Sequence, residues 1–225
     1  MGKWAAHPGL ALANIRRSIE DSLRRLRTDY VDLYYAHEDD SNVPQEEYVR
    51  AFDALVREGK VRVLGASNFT PERLTSALAI ARKNGFHPFR ISQDHYNLVE
   101  RGFETSLRPT IEREKLVELP YGSLAAGFLT GKYRLGKRAE SARAGGAAKY
   151  LEDPKNVALL GVLDEVAAAH GVSVAAIALA WLHAQPTVGA PIASARTIEQ
   201  LAPLFEGART KLSSDELAKL SAATG

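Results

Sequence analysis

The chain has 225 residues, of which 45% are hydrophobic, 25% charged and 8% aromatic; this is ordinary globular composition, long enough to bury one sizeable core, and it excludes disorder as the default. Lys plus Arg total 29 against 27 for Asp plus Glu, so the net charge of +2 offers no electrostatic case for a nucleic-acid or anionic-membrane partner. With no cysteine, disulfides, thiolate metal sites and cysteine nucleophiles are excluded.

Met1 to Pro8 has no apolar core of a secretory signal, and Ala6 stands where a myristoylation motif needs Ser or Thr, so a cytoplasmic location is expected. From Ile15 the spacing Ile15, Ile19, Leu23, Leu26 predicts a helix whose other face is a solvated mixture of Arg16, Arg17, Glu20, Asp21, Arg24, Arg25 and Arg27. Tyr30 to His37, β-branched and aromatic, predicts a strand. Pro44 to Glu58 predicts a helix closed by Gly59. The pattern then repeats, with a strand at Val61–Ser67, a helix opened by Thr70-Pro71 and closed by Asn84-Gly85, and a third strand at Phe89–Gln93. A helix near Thr105–Arg113 must begin at or bend around Pro109, and Lys115–Tyr121 predicts strand four.

Residues 122–153 break the rhythm with Gly122, Gly127, Gly131, Gly136, Gly145 and Gly146, and read as a long functional loop. Helices are expected at 155–170 and 174–184. The latter covers most of the longest apolar run, Val172 to Leu182, which is half the roughly 20 residues a membrane helix needs; a buried helix and no membrane partner are expected. Thr187–Ala193 predicts strand five, followed by helices from Ile198 to Phe205 and from Ser213, where Ser213 and Glu216 have capping-box spacing.

This alternation predicts an α/β fold with a parallel sheet in one domain, 1–225. Five strands suggest a doubly wound sheet, but G-x-G-x-x-G is absent after every strand, and in Gly122–Gly127 the phosphate-loop glycine spacing is followed by Phe128 and Leu129 rather than Lys and Ser or Thr. The ends of the five strands carry His37, Ser67 with Asn68, Gln93, Tyr121, and Ser194 with Arg196. Each has a bland reading: a rim histidine, a packed aromatic, a surface charge. Together they are the groups expected around a neutral carbonyl ligand and a phosphorylated cofactor, with Ser194 and Arg196 before a helix suited to a phosphate monoester. Glu38, Asp39 and Asp40 beside His37 point in different directions along a loop, so no metal site is expected.

Five segments, in order and over nearly the whole chain, resemble the aldo-keto reductases: IRRSIEDSLRRLRTDYVDLYYAH (Ile15–His37), GASNF (Gly65–Phe69), Gln93 through Tyr96 and Asn97, YGSLAAGFLTGK (Tyr121–Lys132) and PIASARTIEQ (Pro191–Gln200). The resemblance implies a (β/α)8 barrel of the TIM-barrel type that reduces aldehydes or ketones with NADPH. It matches His37 to the family's catalytic histidine, and Ser67, Asn68 and Gln93 to the groups that hold the nicotinamide carboxamide. Tyr121 matches the ring that stacks on the nicotinamide, and Gly122, Ser123, Leu124, Gly127 and Lys132 belong to the loop along the pyrophosphate. Ser194, Arg196 and Gln200 match the group around the adenosine 2′-phosphate, while Leu204 stands where the family often has Asn.

The family's first three strand–helix units, with an Asp, a proton-donating Tyr and a Lys, have no counterpart here, and Lys3 lies past the strand that would carry the lysine. The expectation is therefore an incomplete barrel of about five of eight units, truncated at the N-terminus. Its open edges invite a homo-oligomer or a complementing chain. The expected partner is a small carbonyl substrate and the cofactor NADP(H). The alternative is a catalytically inactive NADP(H)-binding or regulatory protein derived from such an enzyme.

Overall fold

The computed structural model describes residues 9–134 and 144–224. In chain order its elements begin α1 (Leu12–Leu26), β1 (Val31–Ala36), α2 (Gln45–Arg57), β2 (Val61–Ser67), α3 (Pro71–Asn84), β3 (Phe89–Gln93), α4 (Gly102–Ser106), α5 (Arg108–Glu114) and β4 (Val117–Glu118). A 3-10 segment (Ala125–Thr130), α6 (Ala144–Ala148), a second 3-10 segment (Lys149–Glu152), α7 (Pro154–His170), α8 (Val174–His183), α9 (Leu201–Arg209) and α10 (Ser214–Ala222) follow. The chain divides into two compact units, Met1–Asp94 with Ser106–Glu118, and His95–Thr105 with Leu119–Gly225.

The first unit is an α/β layer around a four-stranded parallel sheet in the order β1-β2-β3-β4. In register, Ala36 pairs with Ala66, Ser67 with Gln93 and Ser92 with Glu118, which brings the C-terminal ends of the strands to one edge. On one face Tyr34 packs against Phe52 of α2 with ring centroids 5.9 Å apart, Phe52 against Phe89 at 5.7 Å, and Phe89 against Phe69 at 5.9 Å. Edge-on and tilted aromatic pairs at these distances pin helix to sheet by geometry as well as by buried area. Burial raises the Tyr34 hydroxyl to a pKa of about 12. In α1, Ile15, Ile19 and Leu23 are buried at a spacing of four and the arginines face outward, as the periodicity predicts, whereas Leu26, expected on the same face, is 64% exposed at the helix end.

The second unit is built on α8, in which Ala175 through Leu182 are all buried. Its long apolar run is thus the core of a helical layer, and among the described residues no single helix is long and apolar enough to cross a membrane. Trp181 is fully buried and donates its Nε1–H to Ser221 Oγ at 2.9 Å, while Tyr96 lies edge-on to it at 5.8 Å. The capping box forms as expected: Ser213 Oγ accepts from Glu216 N at 3.3 Å and Glu216 accepts from Ser213 N at 2.7 Å. That carboxylate also pairs with the His170 ring at 2.7 Å, and these bonds hold its pKa down to about 2.

Five expectations are corrected. Thr187–Ala193 forms no strand among the described residues: Thr187 takes a left-handed φ of 71°, Pro191 has no N–H, and the Ile192 N–H donates to Pro120 O at 2.9 Å. The sheet therefore has four strands where five were expected. Strand four is confined to Val117–Glu118 because Pro120 cannot donate to a ladder. The helix expected near 105–113 is two, α4 and α5, with Pro109 in the first turn of the second. The loop expected over 122–153 is helical in part, and α9 begins at Leu201 rather than at Ile198. Gly136, within 135–143, and Lys3 lie outside the described residues.

Gly207 sets how closely α9 approaches α8. A Cβ there would stand 2.8 Å from Leu179 Cβ and 3.1 Å from the Ala176 carbonyl oxygen. Gly207→Ala is expected to push α9 outward and cost about 1–3 kcal/mol, read as a lower urea midpoint at unchanged m-value.

Candidate active site

In the first unit His37, Ser67, Asn68 and Gln93 meet where β1, β2 and β3 end. Asn68 is the connector. Its Nδ2 donates to the His37 carbonyl at 3.0 Å and to Ser67 Oγ at 2.9 Å, with its backbone in the left-handed region at φ 57°. Such a conformation is tolerated best by Asn among non-glycine residues. The His37 side chain and Asn68 are exposed, Gln93 is half-buried and Ser67 is buried. The acids after His37 are engaged elsewhere: Asp39 accepts two bonds from Arg73, at 2.6 and 3.0 Å, and one from Tyr48, and Asp40 accepts the amides of Leu10 and Asn42. Burial acts to raise the Asp39 pKa, but the hydrogen bonds from Arg73 and Tyr48 prevail and hold it below its ordinary value.

Beside this edge sits a carboxyl pair that the sequence reading passed over. Asp94 N donates to Glu118 Oε1 at 2.8 Å; the Asp94 carboxylate accepts from Ser92 Oγ and, at 3.3 Å, from Asn68 N. Glu118 is fully buried and its Oε2 has no hydrogen-bond partner among the described residues. Burial and the neighbouring Asp94 charge raise the Glu118 pKa to about 8, and burial raises Asp94 as well. Two acids on separate strands carry no sequence signal of proximity; only the Ser92–Glu118 register brings them together.

In the second unit Leu124, Gly127, Lys132, Ser194, Arg196 and Gln200, all expected from sequence, line one cavity of about 530 Å³. Leu204, which stands where the family often has Asn, lines it too, and so do Thr130, Ser173 and Thr197, which the sequence reading did not single out. Its charged lining residues, Lys132 and Arg196, are both cations, and Ser194, Thr197 and Gln200 add neutral polar groups. The Gln200 side chain accepts from the Arg196 N–H at 2.9 Å, shaping the turn ahead of α9.

Tyr121 and Gly122 adjoin this loop. The Tyr121 ring stacks on His95 with centroids 5.2 Å apart and planes 16° apart, so the expected single ring is half of a two-ring platform. Gly122 has φ 69° and a Cβ there would stand 2.5 Å from His95 Cδ2, which excludes any side chain. Asn97 ties the loop down, donating from Nδ2 to the Gly122 carbonyl at 2.9 Å while its Oδ1 accepts the amides of Val99 and Glu100. The buried Ser123 hydroxyl lies 2.8 Å from the Ile192 carbonyl and 3.0 Å from that of Pro120. It staples two backbone segments and is absent from the cavity lining.

The profile of the Aldo/keto reductase family matches residues 2–224. The chain is 35% identical over 213 residues to the uncharacterized oxidoreductase YrpG of Bacillus subtilis, covering 95% of this chain and 64% of that one. It is 33% identical over 219 residues to the aldo-keto reductase AMT2 of Alternaria alternata, covering 96% and 59%. The solved structure of a glycerol dehydrogenase of Gluconobacter oxydans superimposes with a TM-score of 0.84 at 30% identity, over 96% of this chain and 64% of that one. The chain thus spans less than two thirds of the length of each.

Glu118 gives stability a pH dependence of definite sign. Unfolded, it loses its proton near the ordinary 4.5; folded, near 8. Folding therefore binds a proton between these values, and stability falls as pH rises through that window by at most about 1.4 kcal/mol per unit. Urea midpoints should decline from about pH 5 to pH 8 in the wild type and stay flatter in Glu118→Gln, which should be the more stable of the two at about pH 8.

Proposed function

This chain belongs to the aldo/keto reductase family, and from that membership we propose that it is an NADP(H)-dependent oxidoreductase acting on small aldehydes or ketones. The observation that carries the cofactor assignment is the cavity of the second unit, where Lys132 and Arg196 stand among hydroxyls and an amide with no acid among the described lining residues. That donor set fits a phosphate monoester. Arg offers a planar, permanently charged fork matched to phosphate oxygens, and Lys a compact second charge. A carboxylate in the same cavity would have opposed this reading.

The residues divide the work. Ser194, Arg196 and Gln200 would hold the adenosine 2′-phosphate, and Leu124, Gly127 and Lys132 would follow the pyrophosphate. In the second unit Tyr121 would offer a ring face to the nicotinamide; in the first, Ser67, Asn68 and Gln93 supply amide and hydroxyl groups of the kind that the family resemblance matches to a carboxamide. His37, exposed at the end of β1, would hydrogen-bond the substrate carbonyl oxygen and orient it. When bound, the dinucleotide supplies a hydride to the carbonyl carbon, matched by a proton to its oxygen. The family membership and a relative named as a glycerol dehydrogenase support alcohol–carbonyl chemistry for this chain.

Titration of the full chain with NADPH, followed by intrinsic tryptophan fluorescence and by calorimetry, should show saturable binding. Arg196→Ala should weaken NADPH by about ten- to a hundredfold, the value of a charged hydrogen bond, and leave NADH within about threefold. Absence of saturable NADPH binding, or equal losses for the two dinucleotides, overturns the reading. Carbonyl-dependent consumption of NADPH, lost in His37→Ala, tests the catalytic half.

A further inference from the structure

The carboxyl pair of buried Glu118 and half-buried Asp94 has a geometry that packing alone does not require. The Asp94 carboxylate is committed on both oxygens, accepting Ser92 Oγ at one and the Asn68 amide at the other. Its own amide is given to Glu118 Oε1 at 2.8 Å, while Glu118 Oε2 is buried with no partner among the described residues. Two ionised carboxylates so placed repel strongly in a low-dielectric site, and one proton between them removes the repulsion.

We infer that Asp94 and Glu118 share a single proton and through it act as positioning residues for the Asn68 turn at the edge where β1, β2 and β3 end. Asn68 needs such support. Its φ of 57° is left-handed, and its side chain bridges the His37 carbonyl and Ser67 Oγ while its amide rests on Asp94. The Asn68 amide–Asp94 carboxylate bond is long at 3.3 Å, so a displacement of the Asp94 carboxylate away from an ionised Glu118 is felt at the Asn68 contact. The groups acting on the pair are Tyr35 from β1, Ser92 from β3 and the non-titrating Asn68 just after β2, which donates its amide to Asp94. Among the described residues neither carboxyl forms an ion pair with a basic side chain.

The consequence for cofactor rests on the NADP(H) reading; the consequence for Asn68 does not. The test combines the two in the full-length chain. By nitrogen-15 NMR, the Asn68 amide resonance should titrate between about pH 6 and pH 9 in the wild type, and the titration should vanish in Glu118→Gln, which mimics the protonated member. Asp94→Asn should shift the resonance at every pH. In parallel, NADPH affinity should fall by about threefold or more from about pH 7 to pH 9 in the wild type but not in Glu118→Gln, while 2′,5′-ADP, which lacks the nicotinamide, keeps its affinity. An Asn68 resonance that titrates identically in wild type and Glu118→Gln overturns the inference, as does a pH-dependent loss shared equally by 2′,5′-ADP and NADPH. Absence of NADPH binding at every pH with the Asn68 titration intact overturns the cofactor reading and supports the pair.

Discussion

Parallel pairing is the constraint on which the first unit depends. Strands that run the same way must be joined by crossovers, and in this chain α2, α3 and α5 supply them. The crossovers cover a face of the sheet with Phe52 and its aromatic neighbours, and they return each strand in the same direction, so every strand ends at the same edge. His37, Ser67, Asn68 and Gln93 are thus gathered by topology although as many as 56 residues separate them in sequence. The same register puts Glu118 beside Asp94, an electrostatic cost that the unit accepts at the point where its candidate chemistry sits.

The second unit faces a different constraint, the shaping of a tightly bent loop. The chain after Tyr121 runs through left-handed positions at Gly122, Ala125, Ala126 and Gly127, which bend it tightly. Buried side chains then fix it: Asn97 by its bond to the Gly122 carbonyl, Ser123 by its contacts with two backbone carbonyls. A loop held in this way loses little entropy when a ligand arrives, because its order is already paid for by packing. The cations Lys132 and Arg196 come from segments more than 60 positions apart, and they converge on one cavity with no acid among its described lining residues.

The two clusters obey opposite electrostatic rules. In the cavity the two cations, Lys132 and Arg196, are exposed. At the strand edge, burial makes charge expensive, so the Glu118 carboxyl keeps its proton to about pH 8 and a pair of acids behaves as a single negative charge. Formal charge counts treat all these residues alike.

Period, caps and breakers are local properties, so they were legible in the sequence. The spacing of Ile15, Ile19 and Leu23, the Thr70 and Ser213 caps, and the strands at Val61–Ser67 and Phe89–Gln93 all stand where the residues say. So do the strand-end residues and most of the cavity lining, which fall in recurrent motifs. Tertiary structure decided what depends on partners distant in the chain: that Thr187–Ala193, β-like in composition, finds no strand to pair with, that Ser123 serves as a staple, that His95 completes a platform with Tyr121, and that Asp94 and Glu118 meet. The physical reason is the same in each case. Hydrogen-bond partners, desolvation and charge–charge distance are properties of neighbourhoods, and the neighbours of these residues come from other segments of the chain.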